Sequence, residues 1–323
     1  MRSTIARILT ACTTAAAAIA LATAGASAAA QEKTKLRVSV IPIVDVSPLY
    51  AAIKLGYFKA EGLEVDPSPV AGGAAGIPGL MAGAYDLVFT NVVSSILARQ
   101  QNLKVKLVAP GWSGGEPNDG AAVVVRKGEG LKRGADLNGK SLGVNTRNNI
   151  IWLYAAEWSA RTGADVSKIN FREIPFPQMV DALKGKQIDA AFIVEPFYTA
   201  ARNEPSLEVI GMPYYTVHPN ISVAQYVATE DFIAKNPETV RKFAAAIKKG
   251  AQWVNEHRKS NELFELVASY TKLNPSVVSQ MLIGTAPLTV DAGSIEQTMT
   301  VMRKHGLLNT SFSATSMMHD TVR

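Results

Sequence analysis

The sequence is poor in the groups that bind metal, close disulfides or cross membranes. It has one cysteine in 323 residues, Cys12, and that residue sits in the leading segment. Beyond it no disulfide, thiol nucleophile or cysteine metal site can be built. The 4 histidines, His218, His257, His305 and His319, are scattered and lack the HxxH or HExxH spacing of a metal site, so no metal and no cofactor is expected. There is no G-x-G-x-x-G dinucleotide motif, and the glycine-rich "AGGAAGIPG" (71–79) lacks a phosphate-gripping lysine. Past the leader no uninterrupted apolar run is long enough to span a bilayer. Nor is there a basic block. The formal charge of +6 falls to +4 without Arg2 and Arg7 and is spread along the chain, which argues against a nucleic-acid partner.

What is present begins with "MRSTIARILTACTTAAAAIALATAGASAAAQEK". A positive start, a small-residue apolar run and the Ala26-Ser27-Ala28 pattern predict a cleaved signal peptide over residues 1–28. An N-terminal anchor is the alternative; the Ala/Thr-rich run is short for a span. Export without cysteines suits a periplasmic protein with a core large enough to need no covalent staples.

After the leader, strand and helix patterns alternate. Leu36–Ile41 reads as a strand, stopped by Pro42; Ser47-Pro48 reads as a helix start with Ser47 as cap; Leu63–Val65 reads as the next strand. This βαβ signal predicts an α/β fold with largely parallel sheets. "GWSGGEPNDG" (111–120) reads as a loop, Ser141–Val144 as a strand, and the segment to Arg161 as a helix stopped by Gly163. From Pro237 the pattern is mostly helical, and the polar tail after Leu308 reads as loosely ordered. "LMAGAYDLVFTN" (80–91) echoes "LKGKQIDAAFIV" (183–194), pairing Leu80 with Leu183, Asp86 with Asp189 and Phe89 with Phe192. The glycines of the two segments are offset by one place, so the echo reads either as two related lobes or as a chance likeness of two αβ turns.

Five segments, in order, resemble one family. "LYAAIKLGYFKAEGLEVD", "LMAGAYDLVFTN", "DLNGKSLGV", "IDAAFIVEPF" and "VATEDFIAKNPETVRKF" are similar to motifs of periplasmic solute-binding proteins of ABC transporters for sulfonates, nitrate, taurine and thiamine-pyrimidine precursors. The resemblance implies a two-lobed type II periplasmic binding fold with two crossover strands and a ligand cleft between the lobes. It places lobe one at 31–122 plus 223–323 and lobe two at 123–222, with crossovers near Ala121–Arg126 and Ser222–Thr229. It implies a small-molecule ligand, a permease of the inner membrane as partner, a monomer and no catalysis. The eukaryotic pyrimidine synthases that share the fold resemble a cysteine-rich iron motif that is absent here.

Candidate ligand groups gather at predicted strand ends. "NTRNNIIWL" (145–153) sets Thr146, Arg147, Asn148 and Asn149 before a helix, where orphan N–H groups and the dipole favour negative charge. The planar fork of Arg147 suits a sulfonate or carboxylate. The same cluster also reads as an ordinary cap with Arg147 in solvent. Asp45, Ser47 and Asn91 follow predicted strands of the first lobe. Trp112 reads as a wall within a loop. Glu195 either accepts from a ligand amine or ties the lobes together. Phe176, Phe197, Tyr198 and Trp152 are candidate walls, most of them core. Together these groups favour a small organic anion; an amine-bearing heterocycle such as a pyrimidine precursor stays open, as does a role presenting the ligand to a sensor instead of a permease.

Overall fold

The computed structural model describes residues 34–117 and 120–323. The expected signal peptide lies outside them. In chain order the main elements are β1 (Thr34–Val40), α1 (Ser47–Lys54), β2 (Leu63–Pro69), α2 (Gly73–Met81), β3 (Leu87–Asn91), α3 (Val92–Gln100), β4 (Val105–Gly114) and β5 (Ala121–Arg126). Then follow β6 (Ser141–Val144), α4 (Ile150–Arg161), β7 (Asn170–Glu173), α5 (Phe176–Lys184), β8 (Ala190–Val194), α6 (Phe197–Arg202), β9 (Leu207–Gly211) and β10 (Ile221–Thr229). The chain closes with α7 (Pro237–Glu256), α8 (Asn261–Thr271) and α9 (Ala292–Lys304).

Two 5-stranded sheets result, ordered β2-β1-β3-β10-β4 and β7-β6-β8-β5-β9. In each, three strands run parallel and the next is antiparallel to its neighbours. The two sheets therefore share one plan. Strands β3, β5 and β8 are buried along their whole length, which is why they read as continuous apolar runs. The chain enters the second sheet at β5 and returns to the first at β10.

The internal echo marks equivalent turns. Asp86 accepts from the Arg37 amide at 2.8 Å and Asp189 accepts from the Ser141 amide at 2.8 Å. Their own amides donate back to the carbonyls of Arg37 and Ser141. Each aspartate thus locks the start of its strand to the central parallel neighbour. The offset glycine is also explained. The left-handed residue lies three places after the matched leucine in both turns: Gly83 at φ 74° and Lys186 at φ 58°. Gly185 precedes that position and is not in the left-handed region.

Three local expectations are corrected. Ser47 is not the cap: a 3-10 turn over Val44–Val46 leads directly into α1, Val46 takes the cap position, and the buried Ser47 hydroxyl has no hydrogen-bond partner. Trp112 lies in strand β4, which continues through 111–114 because β10 pairs with it across irregularities in register. The tail after Leu308 is packed: Met317 and Val322 are buried, the His319 amide donates to Leu107 O, and the Thr321 hydroxyl donates to Val108 O at 2.6 Å. Its few apolar side chains cover the edge of β4, which a composition reading of a polar tail overlooks.

Candidate functional site

The parallel strands of both sheets end toward one another, the usual site for ligands in open α/β sheets. A narrow cleft lies there. From the first sheet come Ile41, Ile43, Asp45, Phe89 and Asn91; from the second come Asn145, Asn149, Ile150, Phe176 and Tyr214. An adjoining hollow shares Asp45, Val194 and Tyr214 and adds Trp112 and Glu195. Most of the cleft wall is apolar; its polar groups are the Asp45 carboxylate, three amides and a phenol, and the adjoining hollow adds the Glu195 carboxylate.

The β6–α4 loop decides which of its residues face inward. Asn149 is the cap of α4: its Oδ1 accepts from Trp152 N at 3.0 Å, and its Nδ2 donates to Asn145 Oδ1 at 2.8 Å. Asn148 takes a left-handed conformation at φ 55° and is exposed. That turn sends Arg147 outward. Its Nη2 donates to Phe171 O at 2.7 Å, its backbone N–H donates to Glu173, and together with Asn148 it lines a separate surface hollow beside α2 and α3. Thr146 is half-buried and does not line the cleft. It meets the loop before α2, where an added Cβ on Gly72 would stand 2.5 Å from Thr146 Oγ1. Glycine at 72 therefore lets the loops of the two lobes touch.

Of the residues singled out in sequence, Asp45, Asn91, Trp112, Asn149 and Glu195 border these linked hollows. Ser47, Thr146, Arg147 and Asn148 do not. Asn91 caps α3 through Ser94 N at 3.0 Å and also accepts from Ile150 N of the second lobe at 3.2 Å. Trp152, one of the candidate walls, lies instead against Phe171 and His305. Tyr214 and Asn145 complete the lining. Tyr214 had no sequence signal, because only packing brings the short turn 213–217 over the cleft.

Glu195 is already engaged. Its carboxylate accepts from Thr199 Oγ1 at 2.7 Å, Thr199 N at 3.1 Å and Leu282 N at 2.9 Å, while its carbonyl accepts from Val44 N of the first lobe at 3.2 Å. Its carboxylate thus joins Thr199 to the segment at Leu282, and its carbonyl meets Val44. Burial dominates its electrostatics and pushes its pKa to about 7 against those hydrogen bonds.

A second buried carboxylate, Glu157, lies outside the cleft. It takes Lys304 Nζ, Arg161 Nε and His305 Nε2, each at 2.8 Å. Burial raises its pKa, but these hydrogen bonds and the charge of Lys304 outweigh that and bring it to about 2.

Two segments match the letters of catalytic motifs without their context. Gly111–Gly115 has the spacing of a nucleophile elbow but lies in and just after β4, with no helix following. Gly134–Ser141 has the spacing of a phosphate loop but leads into strand β6 instead of opening a helix. Among the described residues no cluster of His, Cys, Asp and Glu could hold a metal, and no helix is long and apolar enough to cross a membrane.

Two like sheets with a cleft across their strand ends define the class: this is an α/β protein with the periplasmic-binding-protein fold. Among solved structures, the alkanesulfonate-binding protein SsuA from Xanthomonas axonopodis pv. citri, bound to MOPS, matches with a TM-score of 0.73 at 16% identity, over 89% of this chain and 99% of that one. The chain belongs to the NMT1/THI5 like family, whose model matches residues 43–260. The riboflavin-binding protein RibY of Chloroflexus aurantiacus is 29% identical over 75% of this chain and 70% of its own length. The 4-amino-5-hydroxymethyl-2-methylpyrimidine phosphate synthase of Aspergillus parasiticus is 27% identical over 64% of this chain and 62% of its own.

Proposed function

We propose that the protein is the periplasmic solute-binding component of an ABC importer, capturing a small organic molecule between its lobes and delivering it as a monomer to an inner-membrane permease. The fold, the family and the leader composition support this reading. For the ligand we favour a flat heterocycle that is neutral or carries an amine. One observation carries this choice: Asp45, Asn91, Asn145 and Asn149 line an aromatic and aliphatic cleft to which, among the described residues, no lysine or arginine contributes. Amides and a carboxylate suit ring N–H and amino donors, and apolar walls suit a ring face. A carboxylate in the wall repels anions. The sulfonate or carboxylate reading rested on the Arg147 fork, which lies outside the cleft. A ligand touching both lobes would favour their closed arrangement, and neither stray motif supplies catalytic geometry for an enzyme.

A thermal-shift screen over small organic acids, amines and pyrimidine-like heterocycles tests the choice, since a tight binder raises the melting temperature by mass action. Heterocycles are expected to stabilise the protein, and Asp45→Asn is expected to weaken them by about 1–3 kcal/mol. Stabilisation by sulfonates or carboxylates alone would overturn the ligand class.

A further inference from the structure

We propose that one face of α4 is a latch across the seam between the lobes, and that this latch, with Glu157 as its last contact, sets how readily the cleft opens. Ile150, Tyr154 and Glu157 follow helical spacing and so share one face of α4. Each grips the first lobe. The Ile150 amide donates to Asn91 Oδ1 at 3.2 Å, the Tyr154 hydroxyl lies 3.0 Å from Thr298 Oγ1, and Glu157 holds Lys304 and His305 at 2.8 Å. Thr298, Lys304 and His305 lie on or just after α9, which packs on α3 and β10 of the first lobe. The first contact borders the cleft; the last lies seven residues further along the same rigid helix.

Glu157 is shared between the lobes. From its own side Arg161 pairs with it and also donates to the carbonyls of Thr216 and Val217. From the other side come Lys304 and His305; within the second lobe itself His218 lies 3.5 Å from the Tyr154 hydroxyl, and the Trp152 ring stands edge-on to His305. Opening the seam there separates Glu157 from Lys304 and His305 and leaves it with Arg161. The charge-assisted hydrogen bonds lost exceed what hydration of the separated groups returns, so the cluster opposes opening without any ligand. The regulatory meaning rests on the reading of the cleft as a capture site; the mechanical claim does not.

Amide hydrogen exchange and small-angle scattering on the ligand-free full-length protein test the latch with Glu157→Gln and Lys304→Met. Lys304 has 57% of its side chain exposed, so its replacement tests the contact even where a change at buried Glu157 prevents folding. The amides of Ile150 and Val44, which donate across the lobes, are expected to exchange about 5-fold faster or more. The radius of gyration is expected to rise, while amides within β8 and β10 keep their protection. Wild-type exchange at Ile150 and Val44 with an unchanged radius in Lys304→Met would overturn the latch, whatever the compound screen finds; an inert screen leaves the latch standing.

Discussion

Two glutamates are buried in this protein, and their surroundings treat them in opposite ways. Glu157 is 2% exposed and meets the cations Lys304 and Arg161 and the His305 ring; its pKa is brought to about 2. Glu195 is 1% exposed and meets a hydroxyl and two backbone amides, with Arg202 a minor influence; its pKa is pushed to about 7. Low solvent exposure alone does not settle the charge of a carboxylate. Burial raises both; at Glu157 the charged Lys304 and Arg161 donors outweigh it, whereas at the more deeply enclosed Glu195 a hydroxyl and two amides do not. The end of the seam held by Glu157 is a fixed ion cluster. The end beside Glu195, next to Asp45 and Trp112, holds a carboxylate near its titration point in the wall of the candidate site.

Substitution breaks this contrast most directly. Glu157→Leu is expected to lower stability by about 2–4 kcal/mol at pH 7, because it leaves an apolar group among cations. Glu195→Gln keeps an acceptor for Thr199 and Leu282 and removes a desolvated charge, so a change within about 1 kcal/mol is expected. Urea denaturation of both variants checks the pair, and equal losses would remove the distinction.

The pH profile sharpens it. Between about pH 4.5 and 7 the folded state keeps a proton on Glu195 that the unfolded chain has released, so this group's contribution falls as pH rises, by roughly 3 kcal/mol at most. Glu157 has the opposite sign. Its contribution is full above about pH 4.5 and is lost as pH falls toward 2, by about 2 kcal/mol after screening of its solvent-reaching partners. Denaturation curves across this range should show Glu195→Gln flattening the upper limb alone and Glu157→Leu flattening the acid limb alone.

The smallest effect is expected at Arg147. Since its guanidinium is spent on Phe171 O, Arg147→Ala should change calorimetric affinity for any compound found in the screen by less than about 0.5 kcal/mol. A loss of about tenfold or more would return Arg147 to the cleft and the anion reading with it.

Much of the architecture was legible because it is local. The echo of Asp86 and Asp189 is written in turn chemistry, and both residues lock strands in the same way. The helix ending at Arg161 and the unbroken apolar strands β5 and β8 likewise follow from short-range pattern. The site was less legible at one resolvable point. Thr146, Arg147, Asn148 and Asn149 are adjacent polar residues with similar capping ability, and the left-handed turn at Asn148 sorts them, sending Asn149 inward and Arg147 out. Trp112 was misread because glycine and proline suggested a loop where pairing with β10 sustains a strand.

The sequence by itself determined the alternation of strands and helices and the apolar strips that build the sheets, since these depend on periodicity and on neighbours a few places away. Only the tertiary structure decided which polar groups face the cleft and which carboxylate is charged. Glu157 meets Lys304 147 positions along the chain, and Glu195 meets Leu282 87 positions along. Electrostatic energies depend on distance in space and on exclusion of water, and neither is encoded at the residue that carries the charge.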